Sequence, residues 1–185
     1  MRGKQLKRQQ GFTLIELLFA ISLSTLLISM AAPAMNHLVS NSRQTGAIND
    51  LVSSMHKARS EAITTNTRVT MCTSKDGEDC DSSDWHEGWI VFSDRDADQN
   101  LDVGEDIISS STERTRMTID SDEFGKFLMY RPNGRVMDAS VDGNLGEFTI
   151  CDKRGARYAK VLIIDLSGRP RTSLKYANGD SPTCT

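Results

Sequence analysis

The 185 residues contain no GxSxG elbow, no HExxH pair and no phosphate-cradling GxxxxGK[ST], and no cysteine or carboxylate arrangement of the triad kind surrounds the three histidines. Nothing in the chain points to an enzyme. His37 and His56 stand alone on one stretch and read as surface or packing histidines. The four cysteines, Cys72, Cys80, Cys151 and Cys184, have neither CxxC nor Cys/His spacing, which speaks against a zinc site and for paired disulfides in an oxidising compartment. Three connectivities are open. The close spacing of Cys72 with Cys80 and the terminal position of Cys184 favour 72 with 80 and 151 with 184.

Positive charge is scarce where it would matter for a uniform nucleic-acid binder. Residues 69–125 hold 4 basic against 16 acidic side chains, whereas residues 126–185 hold 10 basic against 6 acidic, so the basic end is the C-terminal third. Without the first eleven residues, which carry Arg2, Lys4, Lys7 and Arg8, the net charge falls from −3 to −7. The length accommodates one ordinary domain plus an N-terminal extension.

Basic residues are also absent from the apolar run 12–32, which is long enough at 1.5 Å per residue to cross the roughly 30 Å hydrocarbon core. Four basic residues ahead of it place the N-terminus in the cytoplasm and everything after Pro33 outside. Ala32-Pro33-Ala34 has the form of a signal-peptidase site and keeps a cleaved secretory signal open. The run exceeds the usual ~7 to 15 residues of such a signal, however, and it contains Glu16, a carboxylate that is costly in an apolar helix unless it meets a positive partner.

Gly11-Phe12-Thr13-Leu14-Ile15-Glu16-Leu17 behind the basic leader resembles the class III signal of type IV prepilins. The resemblance implies cleavage between Gly11 and Phe12 by a prepilin peptidase, N-methylation of Phe12 and retention of the helix in the inner membrane. It also implies pairing of Glu16 with the N-terminal amine of a neighbouring pilin during assembly. The bland alternative is that Glu16 reaches the headgroups and does nothing more.

Beyond Pro33, a residue that removes a helical hydrogen bond and should kink the rod, Ala47, Ile48, Leu51, Val52, Met55, Ala58, Ala62 and Ile63 follow helical spacing, and the helix is expected to end near Thr64. The period then changes to two, predicting strands over 68–74, 88–93, 126–130, 146–151, 160–166 and 171–176. The expected fold is α+β: a long N-terminal helix packed on antiparallel sheet. Its parts are a leader 1–11, a transmembrane half 12–34, an amphipathic half 35–66 and a β-rich domain 67–185. With Trp85-His86-Glu87-Gly88-Trp89-Ile90-Val91-Phe92-Ser93-Asp94 and Tyr130-Arg131-Pro132-Asn133-Gly134, the domain resembles that of the GspH/FimT minor pilins and pseudopilins. Trp85 and Trp89 read as core aromatics, not as a stacking platform.

Two segments are candidates for binding. Residues 94–105 place Asp94, Asp96, Asp98, Asp102 and Glu105 at positions 1, 3, 5, 9 and 12 of an EF-hand loop, with Asn100 at 7 and apolar Leu101 at 8. Gln99 stands where that loop needs glycine and the flanks read as strand, so the expectation is a solvated acidic turn, with weak calcium occupancy as the alternative. The second segment is Gly168-Arg169-Pro170-Arg171, which resembles the GRxR element of FimT pilins that take up DNA. Arg169 and Arg171 would reach successive phosphates of double-stranded DNA, with Lys153, Arg154, Arg157, Lys160 and Lys175 around them. The competing reading is a solvated turn. A minor pilin at a pilus tip, a subunit of a type II secretion pseudopilus and a secreted calcium-binding module are the functions carried forward. The GRxR element favours the pilus.

Overall fold

The computed structural model describes residues 11–137 and 145–184, without the side chains of residues 30–34. The basic leader and the side chains of Ala32, Pro33 and Ala34 therefore lie outside the described residues. The chain divides into two compact units, Met1–Asn41 and Ser42–Thr185.

One helix, α1 (Leu14–Thr65), crosses the boundary between the units. It begins where Thr13, just ahead of it, accepts the Glu16 N–H on its hydroxyl at 3.3 Å, the bond of an N-cap residue. In the first unit the apolar side chains from Phe12 to Ile28 are exposed. The hydroxyls of Ser22, Ser24, Thr25 and Ser29 each donate to a carbonyl one turn back, so these four protons are satisfied within the helix. Among the described residues no helix is long and apolar enough to cross a membrane; the expected span 12–34 continues into residues 30–34, whose side chains lie outside that set.

In the second unit the helical spacing becomes a buried stripe. Ala47, Ile48, Leu51, Met55, Ala58 and Ala62 are almost wholly covered, Val52 is half-buried, and Ile63 lies at the rim of the stripe, 46% exposed. Asn66, in the left-handed region at φ 54°, turns the chain out of the helix. Among the described residues nine strands follow: β1 (Arg68–Thr73), β2 (Trp89–Asp94), β3 (Ile107–Ser111), β4 (Met117–Asp120), β5 (Phe127–Tyr130), β6 (Val136–Met137), β7 (Gly146–Asp152), β8 (Lys160–Ile164) and β9 (Pro170–Ser173). They form two antiparallel sheets, ordered β3-β2-β1-β5-β6 and β4-β7-β8-β9.

Both sheets share one core with the helix stripe, built from Val69, Met71, Trp89 and Val91 of the first sheet and Ile119, Phe148, Ile150, Leu162 and Ile164 of the second. Trp85 and Trp89 are buried there as expected. Trp85 donates to the Gly125 carbonyl at 2.7 Å and meets Phe148 edge-on, and Trp89 donates to Ser54 of the helix at 3.0 Å. On the opposite face of the first sheet a small second cluster forms from Cys72, Ile90 and Phe92, with Cys80, Leu101 and Phe127 against it.

The disulfides join Cys72 to Cys80 and Cys151 to Cys184. The second ties down a C-terminal tail that crosses the outer face of the β4-β7-β8-β9 sheet. Tyr176 meets Thr149 through a 3.0 Å hydroxyl contact, and the Ala177 N–H donates to Glu147 at 2.8 Å. Val161 and Ile163, which alternate with the core residues of β8, are buried on that outer side.

Candidate functional site

Gly11 and Phe12 precede the helix and are exposed, Phe12 at 88%. A Cβ added at Gly11 would touch nothing within 4 Å, so folding places no demand on that glycine. Glu16 is exposed in the first helical turn, among Leu14, Ile15, Leu17 and Leu18, and is the only charged side chain of residues 12–29. The capping role of its N–H belongs to the backbone. Its carboxylate is left available to a cation, and the helix N-terminus favours its charge. A threonine just ahead of Leu14 is the sign of this cap in the sequence.

The basic C-terminal element is held by contacts that span the fold. The turn at residues 165–168 is closed by the Gly168 N–H donating to the Asp165 carbonyl at 2.8 Å, with Gly168 at φ +73°. Tyr130, buried, donates its hydroxyl to the Gly168 carbonyl at 3.1 Å. Burial pushes the Tyr130 phenol well above its usual range, so it stays protonated and remains a donor. Gly168 sits so close to the turn at Gly134 that a Cβ on it would lie 2.2 Å from the Gly134 carbonyl oxygen. That same oxygen accepts from Arg59 Nε of the helix at 3.0 Å. Helix, first sheet and basic turn are thus locked through Arg59, Gly134 and Tyr130, none of which the sequence marked as supports.

Arg169 immediately precedes β9 and Arg171 lies within it, opposite Ile163 and so on the outer face; both arginines are exposed. Strand β9 is the edge of its sheet. Pro170 is tolerated at the start of an edge strand, which is why the strand opens there and not at Arg171. It also closes sooner than expected, at Ser173, because the Ser173 hydroxyl takes the Lys175 N–H at 3.0 Å and turns the chain. Lys175, Lys153 and Arg157 are exposed.

Two members of the expected basic set are already engaged. Arg154 binds Asp152 through Nε and Nη2, the latter at 2.6 Å, and lies 4.5 Å over the ring of Tyr158. Lys160 reaches the Thr45 hydroxyl of the helix at 3.3 Å. A carboxylate also sits inside the turn: Asp165 accepts the Ser167 hydroxyl and the backbone N–H of Ser167 and Arg169. The Ser167 hydroxyl above all, and those N–H groups, hold its carboxyl below the usual range.

The acidic segment 94–105 links β2 to β3, so its flanks are strands, as expected, and not the paired helices of an EF-hand. Asp94 is fully buried; its Oδ2 accepts the Thr70 hydroxyl at 2.6 Å and the Gln99 N–H at 3.2 Å. Burial raises its carboxyl above the ordinary carboxylate value. Gln99 adopts φ +70°, the left-handed conformation glycine supplies in a calcium loop. Glu105 does not face the other carboxylates with free oxygens: Oε1 accepts the Arg95 N–H at 2.7 Å and Oε2 the Asp102 N–H at 3.2 Å, clasping the segment end to end. Exposed Asp102 feels the charges of Asp98, Asp96 and Glu105, with Asp98 the main cause, and its carboxyl is raised.

A long N-terminal helix whose second half lies on two antiparallel sheets defines an α+β architecture. The chain belongs to the family of the type II transport protein GspH, whose model matches residues 47–168, and a prokaryotic N-terminal methylation motif matches residues 6–32. No curated protein matches it. Among solved structures it is similar to the type IV minor pilin FimU of Pseudomonas aeruginosa, with TM-score 0.58 and 19% identity over 80% of this chain and 99% of that one. A second crystal form of FimU gives TM-score 0.56 and 19% identity over 76% and 99%. The minor pseudopilin EpsH of the Vibrio cholerae type 2 secretion system is more distant, at TM-score 0.46 and 12% identity over 70% and 94%.

Proposed function

We propose that the chain is a minor type IV pilin. Prepilin peptidase cuts between Gly11 and Phe12, the Phe12 amine is methylated, and the first half of α1 holds the protein in the inner membrane with its globular unit in the periplasm. The same half then packs among other pilins in the fibre. The observation that carries this reading is the row of exposed apolar side chains from Phe12 to Ile28 with a single carboxylate, Glu16, one turn from the new amine. Apolar surface of that extent needs lipid or neighbouring helices, and a carboxylate in such surroundings needs a cation.

Because the helix cap uses the Glu16 N–H, Glu16→Ala should leave the helix start and membrane insertion intact while removing the assembly partner. The variant is expected to be processed normally and to drop at least about tenfold in sheared pili, the loss of one favourable ion contact worth ~1.4 kcal/mol or more. Normal incorporation would reduce Glu16 to a tolerated charge. A wild-type chain that copurifies with a secretion machine and never with pili would favour the pseudopilus instead.

Arg169 and Arg171 support a second activity, weak binding of double-stranded DNA during uptake. Arg169 ends the turn fixed by Tyr130 and Gly134 and Arg171 stands two residues on in the edge strand, so the two guanidinium groups are presented without ordering a loop. Lys175 and Arg157 can extend the contact; Arg154 and Lys160 are spent within the fold. Such contacts address phosphates and read no sequence. In detergent-solubilised protein, log K should fall with log salt by about 0.9 per phosphate neutralised, and Arg169→Gln or Arg171→Gln should each flatten the slope by roughly one unit for every DNA sequence alike. Binding unchanged in the double variant would end this reading and leave the assembly role standing.

A further inference from the structure

The segment that joins β2 to β3 has one feature a solvated turn does not produce. Asp94 is wholly buried; Oδ2 accepts from Thr70 and Gln99, and Oδ1 has no partner in hydrogen-bond geometry, with the Ala97 N–H near the carboxylate. Burying an unpaired carboxylate oxygen is strongly unfavourable unless something positive meets it. Asp94 is also one of three carboxylates, with Asp96 and Asp98, whose oxygens lie within 4.8 Å of one another. Among the described residues no lysine or arginine pairs with any of the three, and Arg95, which interrupts them, turns instead to Asp106 at 3.7 Å.

We infer that this segment is a calcium site, with Asp94, Asp96 and Asp98 as its carboxylate ligands. Oxygens on one calcium ion at about 2.4 Å stand no more than about 4.8 Å apart, so the spacing of the three carboxylates is that of ligands to one ion, with Asp98, which now accepts the Asn100 N–H and side-chain amide, turning to it. The donor set is hard oxygen only, which fits calcium and offers nothing to zinc or copper. Magnesium fits less well, because it keeps several waters and demands near-octahedral geometry, whereas here three carboxylates converge from one loop.

The surroundings hold the loop in place before an ion arrives. Leu101 packs with Phe92 and Ile90 beside the Cys72–Cys80 bridge, Thr70 of β1 fixes Asp94, and Glu105 clasps the two ends through the Arg95 and Asp102 N–H groups. The Asn100 carbonyl and Asp102 stand at the loop positions that supply a backbone and a water-mediated ligand in known calcium loops. Glu105 serves as the clasp, so the site lacks a bidentate closing ligand and belongs in the weak range of extracellular modules, ~0.1 to 1 mM.

The test is calorimetric titration of the full chain in detergent, stripped of divalent ions with chelator, with calcium chloride and, in parallel, magnesium chloride. One saturable calcium site is expected, with magnesium at least about tenfold weaker, and calcium should raise the melting temperature. Asp94→Asn is a poor probe alone, because the buried residue also anchors Thr70. The exposed Asp96→Asn and Asp98→Asn should fold as wild type in the chelated state and each weaken calcium at least about tenfold. The inference is overturned if wild-type protein shows no saturable calcium binding at about 10 mM, roughly ten times the weak limit of such modules. It is equally overturned if magnesium binds as well, or if the two exposed variants bind calcium unchanged.

Discussion

Gly168 shows how a single residue ties a charged surface to the core. Its φ of +73° is one that side chains rarely adopt, and its α-carbon rests against the Gly134 carbonyl, so an added methyl would overlap that oxygen at 2.2 Å. Gly168→Ala must therefore both change the backbone and separate two turns, and it should destabilise the protein by about 2 to 3 kcal/mol in chemical denaturation. A loss under about 0.5 kcal/mol would mean that the two turns are not tightly joined. Residues of this kind were half legible in the sequence. Gly168 and Gly134 announce turns, but their mutual contact lies 34 positions apart in the chain and periodicity has no access to it. Gln99 is the opposite case: it stands where a calcium loop needs glycine, yet it adopts φ +70°, with its N–H on Asp94, a conformation that the residue type does not announce. Arg154 looked like part of a basic patch because its ion pair with Asp152, two residues away, is a local turn contact that composition does not reveal.

Among the elements, the legible ones were those with a clear apolar period. The buried stripe from Ala47 to Ala62, and strands β1, β2, β5, β7 and β8, fall within a residue or two of their expected places. Strand β3 escaped because Ile107–Ser111 ends in three serines and is only partly covered; it exists through main-chain pairing to β2 at the sheet edge. Strand β6, at 2 residues, is too short for a pattern to register, and β4 offers only Met117 and Ile119 as apolar residues, where β5 is apolar throughout. The tail after β9 is an element without regular structure, held by a covalent bond and a few hydrogen bonds over Val161 and Ile163. Cutting the Cys151–Cys184 bridge by Cys184→Ser should cost roughly 2 to 5 kcal/mol and expose that face, while Cys80→Ser, which opens a much shorter loop, should cost less. Urea midpoints of the two variants would show the order; the reverse order would place the stabilising role in the Cys72 bridge and its small cluster.

At the scale of the whole molecule, the chain combines a helix half whose apolar side chains are uncovered with a unit that has its own core, two disulfides and segregated charge. That division follows from the sequence alone, since the apolar run, the amphipathic stripe and the strands succeed one another without overlap. The uncovered half calls for membrane first and neighbouring pilins afterwards. Both require that the helix survive processing. The direct measurement is the mass of the N-terminal peptide from membrane-extracted protein, in cells with an active prepilin peptidase. The account predicts a chain that begins at N-methylated Phe12 and, in Gly11→Val, an uncut precursor whose globular unit is folded, since no contact restricts residue 11. A wild-type chain beginning at Met1, or one released after Ala34 without the apolar helix, would contradict it.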